Sequence, residues 1–181
     1  MNIRIIAGIF GGRTIKAPEG KITHPMSDRV RGSLFNIIGE NIKGAEVLDI
    51  FAGTGSLGLE ALSRGAKNVT FIERDRIANK ILNENIETLG LSSITNTTQI
   101  GASTWIDKNE KKIYDIIFAD PPYNNLQLST VSRLGGLLKP NGLMVLSYPG
   151  SGEVPPVDGV VVVDNRSYGT AALAFYRPKS K

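Results

Sequence analysis

The chain has 181 residues, 41% apolar and 21% charged, which is enough for one compact domain with a sizeable core and ordinary for a soluble protein. It contains no cysteine and one histidine, which excludes disulfides, thiolate zinc sites, iron–sulfur clusters, cysteine nucleophiles and histidine-rich centres; no metal is expected. The net charge of +4 sits at one end: Arg4, Arg13, Lys16, Lys21, Arg29 and Arg31 face only Glu19 and Asp28, while the remaining 150 residues balance 15 basic against 15 acidic side chains. A phosphate-rich partner at that end is the physical expectation. No stretch approaches the roughly 20 apolar residues of a membrane span, and "MNIRIIAGIFGG" lacks the apolar length and cleavage signature of a signal peptide. A cytoplasmic protein without membrane contact is expected.

In chain order, Ile3–Ile9 and Thr14–Ala17 read as two short strands around "FGGR", with Gly11-Gly12 suited to a tight turn. Ser27 or Asp28 can cap a helix running to about Gly39, with Val30, Leu34, Ile37 and Ile38 on its apolar face. From Glu46 strands and helices alternate. "EVLDIFAG" is a strand, followed by a helix to about Arg64 closed by Gly65. "NVTFIE" is a second strand, and Arg76–Leu89 a helix closed by Gly90. "TTQI" is a weak third strand and "YDIIFAD" a strong fourth; a helix over Leu126–Leu138 ends at Pro140-Asn141-Gly142. "LMVLSYP", "GVVVVD" and "TAALAFY" complete seven strands, the last two joined by the short Asn165–Gly169 connection. The pattern predicts an α/β fold with a mostly parallel sheet covered on both faces and an antiparallel last strand.

"DIFAGTGSLGLEALSRG" follows the first of these seven strands. Gly53, Gly55 and Gly58 have G-x-G-x-x-G spacing, and Glu73 ends the next strand twenty residues after Gly53. Glycines there let a ligand approach the backbone, and the acid can accept hydrogen bonds from both hydroxyls of a ribose. Asp49 would repel the pyrophosphate of a dinucleotide, which such a helix start otherwise attracts. It suits a cation such as the methionine ammonium of S-adenosylmethionine. The D-x-F-A-G-T-G form resembles the first motif of the Rossmann-like methyltransferases.

The fourth strand ends abruptly in Asp120-Pro121-Pro122-Tyr123. In a doubly wound sheet it lies beside the first, at the switch point where ligands bind. Proline fixes φ, donates no hydrogen bond and constrains the residue before it. Asp120 and the prolyl segment thus form a rigid set of acceptors, suited to an NH₂ group. The lone pair of a base's exocyclic amine is delocalised into the ring, and gripping its hydrogens turns that pair toward the methyl donor, a positioning effect. Tyr123 offers a face for a flipped base. Without cysteine, pyrimidine C5 methylation through a thiol adduct is unavailable. The tetrapeptide alone leaves adenine N6, guanine N2 and glutamine amides open.

"RIIAGIFGGRTIKAP", "THPMSDRVRGSLFNII", "DIFAGTGSLGLEALSRGA", "FIERD", "DPPY" and "YGTAALAFY" together resemble the bacterial 16S ribosomal RNA guanine-N2 methyltransferase family often called RsmD, nearly end to end. The resemblance implies a Rossmann-like, S-adenosylmethionine-dependent methyltransferase domain over residues 23–181. It adds an RNA-contacting hairpin over residues 1–22, and implies that the enzyme as a whole modifies one guanine of the small-subunit RNA in the subunit or its assembly intermediate. It implies that Asp49, Ala52, Gly53, Thr54 and Gly55 line the methionine end of the cofactor and that Gly58 supports the turn. Glu73 would hold the ribose with Arg74 beside it, and Ala102 would place its N–H near the adenine. Asp120, Pro121, Pro122 and Tyr123 would carry the reaction. Thr23, Arg29 and Arg31 would belong to a segment closing over the cofactor, and Arg4, Arg13, Lys16 and His24 would meet RNA. The family usually reads Thr-Arg-Pro-Thr where this chain has Thr23-His24-Pro25-Met26, and glutamate is common at Gly32. Trp105 falls on the adenine side by position, though packing is the expected role. A monomer is expected.

Two other readings remain. A DNA adenine-N6 methyltransferase shares the tetrapeptide but usually carries an added target-recognition region, for which this chain has little room. A non-catalytic ribosome assembly factor could retain the fold without the reaction.

Overall fold

The computed structural model describes residues 2–20 and 25–180. The chain opens with β1 (Asn2–Arg4) and β2 (Thr14–Lys16), an antiparallel pair with Ile3 opposite Ile15. The first strand is shorter than its sequence suggests because residues 6–10 find hydrogen-bond partners elsewhere. Ile6 and Ala7 donate their N–H groups to the carboxylate of Glu60, Phe10 donates to the Ser63 hydroxyl, and Ile9 to the Ser63 carbonyl. Backbone groups satisfied by a helix are unavailable to a partner strand.

Helix α1 (Asp28–Ile38) starts at Ser27, whose hydroxyl accepts the Val30 N–H, and stops at Gly39. Its inward residues are Val30, Arg31, Leu34, Phe35 and Ile38, spaced at helical intervals. The main sheet then follows: β3 (Glu46–Asp49), α2 (Ser56–Ser63), β4 (Asn68–Ile72), α3 (Arg76–Thr88), β5 (Thr95–Thr98), α4 (Ala102–Lys108), β6 (Tyr114–Ala119), α5 (Leu128–Val131), β7 (Leu138–Pro149), β8 (Val160–Tyr168) and β9 (Ala171–Pro178). The strand order is β5-β4-β3-β6-β7-β9-β8. The first five of these are mutually parallel, and β9 runs antiparallel to both neighbours. This is the doubly wound α/β architecture expected, with the switch point between β3 and β6.

Alternate residues of the buried strands feed two cores. Val47, Phe71, Phe118 and Val145 pack against Leu34, Leu59 and Leu82 of α1, α2 and α3 on one face. Leu48, Ile72, Ile117 and Met144 pack against Trp105, Val131 and Leu134 on the other. The Trp105 ring lies 6.4 Å from that of Tyr114, in the packing role expected of it.

Several boundaries differ from the sequence reading. β5 lies two residues earlier than "TTQI", and α4 was not anticipated. The helix expected over Leu126–Leu138 breaks into α5 and a 3₁₀ turn over Leu134–Leu137. The Pro140-Asn141-Gly142 turn is a bulge inside β7: Tyr114 pairs with Leu138 but Ile116 with Leu143. β8 continues through Asn165 to Tyr168, so only Gly169 and Thr170 form the last turn, because apolar Ala171–Phe175 of β9 extends the ladder. Among the described residues, no helix is long and apolar enough to cross a membrane.

Candidate active site

The site is built at the C-terminal ends of β3, β4, β6 and β7. Asp49 closes β3, opposite Phe118 of β6, and Asp120 stands two residues beyond that partner. The Asp49 side chain is 1% exposed. Its Oδ2 accepts the Gly58 N–H at 3.0 Å, while Oδ1 is buried without a hydrogen-bond partner among the described residues. Burial pushes the Asp49 carboxyl up to about 8; the Gly58 N–H opposes this, and the charges of Asp120 and Glu73 add to it. An unpartnered carboxylate oxygen in such surroundings wants a cation.

The loop after Asp49 is shaped by close approach and by open space. A Cβ on Gly58 would fall 2.2 Å from the Phe71 ring, so only glycine lets α2 lie this near β4 and deliver its N–H to Asp49. Gly53, at φ 58°, has nothing among the described residues within 4 Å of its Cβ position and presents bare backbone to the cleft. Its N–H donates to Glu73 Oε2 at 2.7 Å, and Oε1 of Glu73 accepts from Asp75. The acid at the end of β4 is therefore fixed against the glycine loop, with lone pairs left for a diol. Ala52 and Thr54 are buried beside it, and Arg74 is exposed on the rim. Ala102 is the first residue of α4, where a helical N–H has no intrahelical partner. These donors and acceptors fit the cofactor: Asp49 Oδ1 for an ammonium, Glu73 for ribose hydroxyls, and open glycine backbone between them.

Asp120 is half-buried, and burial raises its carboxyl to about 6, with the Ser147 hydroxyl pulling it back. Pro121 is buried and Pro122 exposed. Pro122's carbonyl accepts the Asn125 N–H, whereas, among the described residues, Pro121's carbonyl receives no backbone donor. The Tyr123 ring is 41% exposed, while its hydroxyl lies 2.6 Å from Ser147 Oγ. The phenol is thus tethered at its far end with the ring still accessible.

The structure brings Asp49, the glycine loop, Glu73 and Asp120–Tyr123 together. It gives Arg31 another occupation. Arg31 is 1% exposed. Its guanidinium donates to the carbonyls of Met26 and Arg4 and to Asp28, with Nε 3.6 Å from Glu60 Oε1. Those contacts lock α1 to the hairpin and to α2. Arg29 is exposed on the first turn of α1. Thr23 and His24 lie outside the described residues. Of the residues expected to meet RNA, Arg4 pairs with Asp28 and Lys16 with Glu84, each at 3.5 Å and exposed, and the Arg13 guanidinium lies 5.5 Å over the Phe10 ring. Exposed pairs of this kind are weak, so their charges stay available.

Sequence reasoning missed three residues that hold the site. Glu60, fully buried, binds the hairpin N–H groups together with Arg31 and Arg64. It was visible as the lone charge in "SLGLEALS". Asn85 of α3 accepts from the Lys16 N–H and donates to the carbonyls of Lys16 and Thr54, so the hairpin and the glycine loop share one side chain. Nothing in its local pattern marked it. Ser147 was visible as the lone polar residue in "LMVLSY".

The family described as Conserved hypothetical protein 95 matches residues 3–177. The ribosomal RNA small subunit methyltransferase D of Haemophilus influenzae is 39% identical over 182 residues, covering 97% of this chain and 93% of that protein. The protein of the same name from Escherichia coli is 39% identical over 140 residues, 77% of this chain and 68% of that one. The solved structure of yhhF from Escherichia coli superposes with a TM-score of 0.88 at 32% identity, covering 100% of both chains. The chain belongs to the Conserved hypothetical protein 95 family, that of the RsmD-like ribosomal RNA methyltransferases its motifs resemble.

Proposed function

We propose that the protein transfers a methyl group from S-adenosylmethionine to the exocyclic N2 amine of one guanine in 16S ribosomal RNA, within the small subunit or its assembly intermediate. In coarser terms it is an S-adenosylmethionine-dependent ribosomal RNA methyltransferase, its relatives being named as ribosomal RNA methyltransferases. The carrying observation is the placement of Asp120 and its rigid prolyl segment beside Asp49, across the β3–β6 switch point.

When bound, S-adenosylmethionine supplies an electrophilic methyl group on a sulfonium. Asp49 Oδ1 would take the cofactor's ammonium and Glu73 its ribose, leaving the reacting end toward β6. The Asp120 carboxylate and the Pro121 carbonyl would accept the two hydrogens of the target amine. That grip holds the nitrogen lone pair out of conjugation and fixes its direction. As the amine gains its fourth bond it becomes acidic, and a carboxylate whose pKa burial has raised toward 6 is a competent acceptor for the released proton. Tyr123 would stack on the base. Residues 1–22, through Arg4, Arg13 and Lys16, would contact RNA phosphates, with Arg29 on the adjoining rim.

Purified protein with methyl-labelled S-adenosylmethionine should label N2-methylguanosine in small subunits from cells lacking the enzyme. Label in N6-methyladenosine of duplex DNA instead would refute the proposal.

A further inference from the structure

We propose that Ser147 is a positioning residue of this site, its hydroxyl joining the Tyr123 phenol to the Asp120 carboxylate so that base shelf and amine acceptor are held as one unit. The inference rests on the reading of Asp120 and Tyr123 given above.

Backbone register carries the first part. β6 and β7 are parallel, with Ala119 opposite Leu146. One step further along each strand are Asp120 and Ser147, and neighbours at one level of a parallel pair project to the same face of the sheet. Contact carries the second part: Ser147 Oγ is 2.6 Å from the Tyr123 hydroxyl. The third is burial. Ser147 is 3% exposed in an otherwise apolar stretch of β7, where a hydroxyl without partners would be costly.

A serine hydroxyl has one proton to give and lone pairs to receive. With Asp120 ionised, the donors run one way, from Tyr123 to Ser147 to the carboxylate. The chain then tethers the tyrosine ring and stabilises the charged form of Asp120, in the same direction as the pull of the Ser147 hydroxyl on a carboxyl that burial raises. The other groups facing this cluster are Asp49 from β3 and, behind it, Glu73 from β4; both are acids. Burial likewise raises the Tyr123 phenol, which therefore remains a donor.

The test compares the wild type with Ser147→Ala, the near-isosteric Ser147→Cys and the hydroxyl-retaining Ser147→Thr. Carbon-13 NMR of the Asp120 carboxyl, with S-adenosylhomocysteine bound, reads the contact without any RNA. Alanine and cysteine should move the titration midpoint up by about 0.5 pH unit or more, and threonine should leave it near the wild type. In methyl transfer to small subunits, kcat of the alanine and cysteine variants should fall about threefold further at pH 6 than at pH 8. A midpoint that does not move, or a loss of kcat equal at both pH values, overturns the proposal. Failure of the wild type to methylate small subunits would instead overturn the N2 reading, and the NMR midpoints would still decide the role of Ser147.

Discussion

The Gly58 N–H donates to one oxygen of Asp49, and the other oxygen of that carboxylate is buried with no hydrogen-bond partner among the described residues. A buried acid left half-satisfied destabilises the unliganded fold, and this one lies where a cofactor cation would complete it.

The pH dependence of the cofactor-free protein should show that arrangement. Burial lifts Asp49 from 3.8 to about 8, so the folded chain holds the proton more tightly than the unfolded chain. Its contribution to stability is present below 3.8 and is lost as pH rises toward 8. Asp49→Asn should flatten that decline in urea unfolding and be the more stable protein at pH 8. The same variant should bind S-adenosylhomocysteine about 10- to 100-fold more weakly in calorimetry, since a charge-assisted hydrogen bond is lost.

Cofactor binding at pH 7 should release a proton, because a cation beside Asp49 favours its ionised form. Binding heats in phosphate and Tris buffers should differ in proportion to the buffers' ionisation enthalpies. The difference should vanish in Asp49→Asn.

Asp120 and Tyr123 should separate kinetically. Asp120→Ala should lower kcat about 10²-fold or more while S-adenosylhomocysteine affinity stays near the wild type, because amine positioning is lost and cofactor contacts are not. Tyr123→Ala should raise KM for the subunit about 5- to 150-fold through a stacking loss of about 1–3 kcal/mol. Tyr123→Phe should retain most of that affinity.

Glu60→Ala should destabilise the protein by about 3–5 kcal/mol, since it removes the buried carboxylate shared by Arg31, Arg64 and the hairpin N–H groups. The amides of Ile6 and Ala7 should then exchange with solvent much faster, because Glu60 is their acceptor. Hydrogen exchange read by mass spectrometry checks both.

Period and punctuation made most of the fold legible. Ser27 and Gly39 bracket α1, apolar runs mark β3, β4, β6 and β7, and glycines close α2 and α3. The failures fall where tertiary contacts override local pattern. Ile6–Ile9 reads as the end of a strand, but Ile6, Ala7 and Ile9 give their N–H groups to Glu60 and Ser63. Leu126–Leu138 reads as helix, but α5 stops at Val131 and the glycine pair 135–136 falls in a 3₁₀ turn, where a Cβ on Gly135 would lie 2.3 Å from the Asp158 carbonyl. The site divides in the same way. Asp49, Gly58, Glu73 and Asp120 lie at strand ends or in the glycine loop, where spacing alone predicts a ligand. Arg31 was assigned by position in a motif, and only packing shows its guanidinium turned inward to Glu60. Ser147 stands out as the polar residue of an apolar run, but its partner Tyr123, like the Thr54 that Asn85 binds, lies far away in sequence, which no local pattern records.

Whether the acceptors at Asp120 serve a guanine amine of small-subunit RNA is decided by mass mapping of 16S ribosomal RNA from cells carrying the gene, lacking it, or carrying only Asp120→Ala. One N2-methylguanosine should be present in the first and absent from the other two. An unchanged set of N2-methylguanosines in all three would contradict the N2 reading.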